Sequence, residues 1–282
     1  MFLRFAPLWF VTLCFGGSAA AGLITDGLIA RYEFEGTLAD SVGQADGTAV
    51  GTPTFGSSPV SSHSLQVSTG NYAQVTNGFT PGMSSFSIST WFRVDDFPAD
   101  FALRAPIFTM QGGDFEHGLT AQVHNPAFGS PSVSAFLRGA RSGPSFTAES
   151  NASVLGEWNH LSVVVNRQSE LLSLYLNGML QQAVGITGLG SIDPDQPFLF
   201  GTYDFTTARN GHGRFVTGDT QLDELLIHDR ALTASEVSTL SAVPEPSSLL
   251  SFAGLCLTTV FTRRRKRARS SGRSRLGGRL SD

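Results

Sequence analysis

The chain has 282 residues, 41% of them hydrophobic, and a formal net charge of −4. At about 100–200 residues per domain, that length admits one large domain plus targeting segments. The charge is divided: Gly22 to Ala242 holds 21 Asp and Glu against 9 Arg and no Lys, a balance of −12, whereas Arg263 to Asp282 holds 9 Lys and Arg against one Asp, a balance of +8. An acidic body without lysine argues against nucleic acid as a partner, because phosphates must be neutralised by cations on that surface. Both cysteines, Cys14 and Cys256, lie in apolar terminal segments, so disulfides, thiol nucleophiles and cysteine-ligated zinc are excluded for the body.

Residues 1–21 read as a secretory signal. Arg4 gives the positive start, Phe5 to Phe15 the apolar run, and Ala19-Ala20-Ala21 the small-residue cleavage site. The mature domain, residues 22–242, opens on a strand in which Leu28, Ala30, Tyr32 and Phe34 alternate with Ile29, Arg31, Glu33 and Glu35. A turn-rich run follows from Gly36 to Gly56. Leu65, Val67, Tyr72 and Val75 mark two short strands. Phe86, Ile88, Thr90, Phe92 and Val94 form the next apolar face, with Ser87, Ser89, Trp91 and Arg93 opposite. Further strands are expected near Pro106–Gln111, Gly118–His124 and Ser132–Arg138.

Gly156 to Ala183 carries the plainest signal. Leu161, Val163 and Val165 share one face, and Leu172, Leu174 and Leu176 repeat the alternation. Asn177-Gly178 then suits a two-residue hairpin turn, which needs positive φ at both positions. Such a three-stranded meander cannot bury its apolar face alone, so a second sheet must cover it. Phe198 to Thr202 and Leu222 to Asp229 supply the last strands, separated by a polar, Gly-rich loop. Thr233 with Glu236 three residues on is a capping box, which starts one short helix. The expected fold is all-β: a two-sheet antiparallel jelly-roll sandwich closed by that helix.

Residues 243–267 change character. Val243-Pro244-Glu245-Pro246 is an extended linker, because each proline disfavours helix for its predecessor. The apolar run 249–262 has 14 residues, and the cluster Arg263 to Arg267 follows directly. That order reads as a membrane stop with the basic cluster inside and the body outside. Residues 268–282 read as a disordered basic tail.

Several stretches together resemble laminin G-like domains of the concanavalin A-like lectin and glucanase superfamily. They are Gly27 to Gly36 with Asp40-Ser41 and Gly43, Phe86 to Phe92, Glu157 to Gly178, and Leu222 to Ile227 with Arg230-Ala231-Leu232. The C-terminal linker, apolar run and arginine cluster resemble a bacterial PEP-CTERM sorting signal, with Pro244, Glu245 and Pro246 as its motif. That resemblance implies export, processing by an exosortase-type enzyme, and residence at the cell surface, outer envelope or extracellular matrix.

The superfamily's glucanases carry Glu-x-Asp-x-x-Glu on one strand, and this pattern is absent; Glu33 and Glu35 read as a solvated outer face rather than a glycosidase pair. Asp223 shares parity with Leu225 and Ile227, which places it toward the apolar side, where a carboxylate needs a partner. Relatives of this fold often hold one structural calcium, so Glu35, Asp40 and Asp223 are candidate ligands by resemblance and parity; pairing of Asp223 with backbone amides or an arginine is the competing reading. Trp91 is a candidate sugar platform, against burial under a neighbouring loop. Arg209 and His212 are candidate ligand contacts on the Gly-rich loop. The leading expectation is a non-catalytic binding or adhesion protein for an extracellular polysaccharide or surface glycan. The alternatives are a glycan-active enzyme on the same fold and a purely structural matrix protein.

Overall fold

The computed structural model describes residues 23–76, 79–97, 104–111, 117–128, 132–140, 143–194, 197–203 and 219–242. These residues form strands β1 (Leu28–Tyr32), β2 (Thr48–Val50), β3 (Thr54–Ser57), β4 (His63–Val67), β5 (Tyr72–Val75), β6 (Phe86–Val94), β7 (Arg104–Gln111) and β8 (Gly118–His124). They continue with β9 (Val133–Arg138), β10 (Ser145–Ser150), β11 (Asn159–Asn166), β12 (Leu171–Leu176), β13 (Met179–Gly185), β14 (Phe198–Phe200), β15 (Thr220–His228) and the helix α1 (Ala234–Leu240). One sheet has the order β13-β12-β11-β6-β15-β4-β3 with β1 added beside β15; the other runs β10-β9-β8-β7-β14-β5-β2. Every pairing between named strands is antiparallel. The expected two-sheet sandwich with one short helix is therefore the observed fold.

Alternation builds the core. Ile88 and Phe92 of β6, Leu161, Val163 and Val165 of β11, and Leu119, Ala121 and Val123 of β8 are fully buried between the layers. Tyr32, Phe34, Phe198 and Phe200 join edge to face at one end, with centroids 5.0–5.5 Å apart between Phe200 and each of the others. That is the spacing at which ring edges meet ring faces favourably. Asn177 and Gly178 both take positive φ, 51° and 76°, as the hairpin requires.

Three strands, β2, β3 and β10, lie where the sequence pattern marks none. β2 and β3 sit inside the turn-rich run, and β10 carries only Phe146 and Ala148 as apolar residues. One orientation also differs from the one that the alternation predicts. In β15, Leu222 pairs with Phe92 and Asp223 with Trp91, but the register shifts before Leu226. Glu224 is the inserted residue, with φ of 46°. Such a bulge reverses the alternation. Leu222, Leu225 and Ile227 all face the core, while Asp223 lies opposite Trp91 on the outer face.

The helix covers part of that outer face. Val237 and Leu240 pack with Leu232 on Val164, Tyr175 and Leu226. Thr233 and Glu236 make the full capping box, and Arg230 grips Glu236 through two bonds of 3.1 and 2.6 Å. Arg230 and then the Thr233 amide hold the Glu236 carboxyl at about 2, below its ordinary 4.5. A depressed acid stabilises the fold above its unfolded pKa and loses that contribution as pH falls through its folded one. Glu236→Gln is expected to lower Tm at pH 7 by the equivalent of about 1 kcal/mol, with the deficit closing as pH drops from 4.5 toward 2. Thermal melts across that range check it.

Candidate functional site

The outer face of the eight-stranded sheet carries two rows of polar residues. In the first, Thr54 of β3, Gln66 of β4, Gln221 of β15 and Arg93 of β6 stand side by side, one per strand. The row exists because each residue occupies the outward position between inward ones: Gln66 between Leu65 and Val67, Arg93 between Phe92 and Val94. Gly56 leaves room for it, since a Cβ there would strike the Gln66 amide.

Three members of this row, Thr54, Gln66 and Gln221, form one wall of an open pocket of about 440 Å³, and Arg93 stands beside it. Thr52, Thr54, Gln66, Ser68, Asn71, Asp95, Asp219 and Gln221 supply its polar lining. The lining groups are held in place by one another. Thr54 Oγ1 donates to Gln66 Oε1 at 3.0 Å, the Thr52 amide donates to Asn71 Oδ1 at 2.9 Å, and Gln221 Nε2 donates to Asp95 Oδ2 at 3.1 Å. Arg93 Nε donates to the other Asp95 oxygen at 2.6 Å. Asp219 is exposed. Hydroxyls, amides and the Asp95 carboxylate so fixed, with Asp219 at the mouth, accept and donate hydrogen bonds in many directions, which suits a polyhydroxylated ligand.

The second row contains Asp223, Trp91 and His160. Trp91 is 7% exposed and His160 is 2% exposed, and their rings meet at 62° with centroids 5.3 Å apart. The indole thus packs within the protein, with little of its surface open to a sugar. Burial pushes the His160 imidazole down to about 3, so it is neutral. Arg209 and His212 lie outside the described residues.

The three carboxylates singled out for calcium are spent on two loops: Asp40 on the turn behind β1, and Glu35 and Asp223 on the loop between β3 and β4. Asp40 Oδ1 accepts the amides of Arg31, Val42 and Gly43 at 2.9–3.1 Å and so folds the turn behind β1. Glu35 accepts the amides of Ser62 and His63 at 2.7 and 3.0 Å and pairs with the His63 ring. Asp223 Oδ2 accepts the hydroxyls of Ser58 and Ser61 at 2.5 and 2.8 Å. Its Oδ1 is buried with no hydrogen-bond partner among the described residues. Calcium takes six to eight oxygens around one point. Among the described residues no group of three or more His, Cys, Asp or Glu offers that, so the carboxylates do not fit a calcium cage as arranged. Equal Tm with and without EDTA is the expected result; a fall of several degrees in EDTA would place an ion there.

Burial raises the Asp223 carboxyl to about 6 from its ordinary 3.8, against the pull of Ser58 and Ser61. A raised acid favours the fold while protonated, so stability falls as pH rises from about 4 through about 6. Asp223→Asn keeps an oxygen for both serines and removes the buried charge. It is expected to raise stability at pH 8 by roughly 1–3 kcal/mol, with the gain vanishing near pH 4. Denaturant melts at the two pH values decide this.

The pocket was not legible beforehand. Its residues come from five separated stretches, and none sits in a local motif. The trace it leaves is a polar side chain at each outward position of β4 and of β15 before the bulge, a pattern shared by any half-solvated strand.

Comparison with known proteins agrees with this architecture. Residues 67–238 match the Laminin_G_3 family model, described as the concanavalin A-like lectin/glucanases superfamily. A botulinum-like toxin, eBoNT/J, of an Enterococcus strain is 35% identical over 83 residues, spanning 29% of this chain and 6% of the toxin. Among solved structures, the binding domain of Paraclostridial Mosquitocidal Protein 1 superposes with a TM-score of 0.61 at 18% identity, over 76% of this chain and 52% of that one. Domain 4 of AbnA, an extracellular arabinanase from Geobacillus stearothermophilus solved with arabinotriose, gives a TM-score of 0.57 at 19% identity, over 76% of this chain and 98% of that domain. The binding domain of botulinum neurotoxin DC, in complex with SialylT, gives 0.59 at 14% identity, over 77% of this chain and 51% of that one. At these identities the likeness concerns the fold.

Proposed function

The chain belongs to the Laminin_G_3 family of the concanavalin A-like lectin/glucanases superfamily, and on that premise we propose that it is an exported, non-catalytic carbohydrate-binding protein. The polar pocket between β3, β4 and the start of β15 carries this reading. Its hydroxyls and amides and the Asp95 carboxylate are preorganised by mutual hydrogen bonds, so a sugar meets them without ordering them first. The fold neighbours described as binding domains support it in kind. Export rests on residues 1–21 and 243–267, and those residues, with the proposed exosortase motif at Pro244, Glu245 and Pro246 and the membrane segment 249–262, lie outside the described ones. Among the described residues no helix is long and apolar enough to cross a membrane.

The glycosidase alternative asks for two carboxylates aimed at one bond. Glu33 instead pairs with Arg31 at 2.8 Å, and Glu35 holds the loop before β4. Asp95, the pocket carboxylate nearest to such a role, is bound on both oxygens by Arg93 and Gln221. The reading favoured by these contacts is binding without turnover.

A glycan array on the purified protein, followed by calorimetry on the best ligand, tests it. The double variant Thr54→Val with Gln66→Met keeps shape and removes two hydrogen-bonding groups. It is expected to weaken binding by roughly tenfold, at about 0.5–1.5 kcal/mol per lost bond, while Tm moves little. Unchanged affinity would remove the pocket from the proposal, and release of reducing sugar from the ligand would replace binding with hydrolysis.

A further inference from the structure

The pocket's charge narrows its ligand. Two carboxylates, Asp95 and Asp219, line it, and among the described residues no cationic side chain does. Arg93, the cation beside it, is committed: Nε and Nη2 both lie 2.6 Å from Asp95 Oδ1. Asp219 differs from Asp95. It is exposed, and its carboxylate has no hydrogen bond or ion pair among the described residues. The surrounding body, at −12 with no lysine, adds to the same sign. Charges within a Debye length, about 8 Å at physiological salt, are felt at the pocket, and a like charge there is repelled.

The geometry points to a glycan bearing protonated amino groups, such as a polymer of de-N-acetylated hexosamine, as the ligand of this pocket. The inference rests on the carbohydrate-binding reading and adds the ligand's class. The neutral side chains Thr52, Thr54, Gln66, Asn71 and Gln221 meet the sugar hydroxyls. Asp219, at the mouth, meets the ammonium. Uronic and sialic acids are disfavoured because their carboxylates find no free cation among the described lining residues.

Calorimetry on the full-length protein at about pH 6 and low salt separates these ligands. The probes are the tetramers of glucosamine, N-acetylglucosamine and galacturonic acid. Glucosamine tetramer is expected to bind tightest and galacturonic acid tetramer weakest, with the gap shrinking at high salt. Asp219→Asn is the matching variant, since this exposed carboxylate supports no contact in the fold. It is expected to weaken the glucosamine tetramer roughly 3- to 5-fold, the scale of one exposed ion pair, and to leave the N-acetylated tetramer unchanged. Tightest binding of the acetylated or acidic tetramer, or an indifferent Asp219→Asn, overturns the amino-sugar preference and leaves carbohydrate binding standing. Binding of none of the three, with a glycan array also blank, overturns both.

Discussion

One inserted residue in the central strand sets the chemistry of the outer face. β15 lies between β6 and β4 and also carries β1, so its register is transmitted to three neighbours. The bulge at Glu224 keeps Leu222, Leu225 and Ile227 in the core while sending Asp223 outward. Arg31 of β1 fixes the bulge by gripping Glu224 with two bonds of 3.0 Å. An α-left-handed conformation at a non-glycine residue costs energy and persists where its surroundings enforce it. Here the bidentate arginine is the enforcing contact. Upstream of the bulge, Gln221 and Asp223 rank the outward face into two rows: one opens as a pocket, the other is sealed by Trp91 and His160.

Much of the fold could be read from the sequence because its signals are local. Leu161, Val163 and Val165 repeat every second residue, Asn177-Gly178 reports its own turn, and Thr233 with Glu236 reports its own cap. The outward orientation of Trp91 followed from the same alternation. Asp223 departs from its parity because parity assumes an unbroken strand, and nothing in Leu-Asp-Glu-Leu-Leu-Ile marks Glu224 as the extra residue. β10 escaped because its two apolar side chains fall below what a strand pattern needs. The pocket escaped for a different reason. It is made by cross-strand neighbours that lie from 12 to 155 residues apart along the chain, as Thr54, Gln66 and Gln221 show, and long-range register has no local signature.

The carboxylates divide into two populations, and this division explains why acidity is not the same as a metal site here. Asp40 and Glu35 spend their oxygens on backbone amides, folding the turn behind β1 and the loop before β4. Such charge-assisted bonds do for a loop what a bound ion would do. Asp219 and the outer edge of Asp95 remain directed to the pocket. The fold thus uses Asp40 and Glu35 for shape and leaves the exposed Asp219 for recognition.

The central claim is that a glycan sits in the pocket at the start of β15 rather than elsewhere on the sandwich. A crystal structure of the protein soaked with glucosamine tetramer tests it most directly. The account predicts density for sugar rings against Gln66, Asn71, Gln221 and Asp219, with an amine nitrogen at hydrogen-bonding distance from the Asp219 carboxylate. Sugar bound instead on the outer face of the seven-stranded sheet, with this pocket holding only solvent, would contradict it.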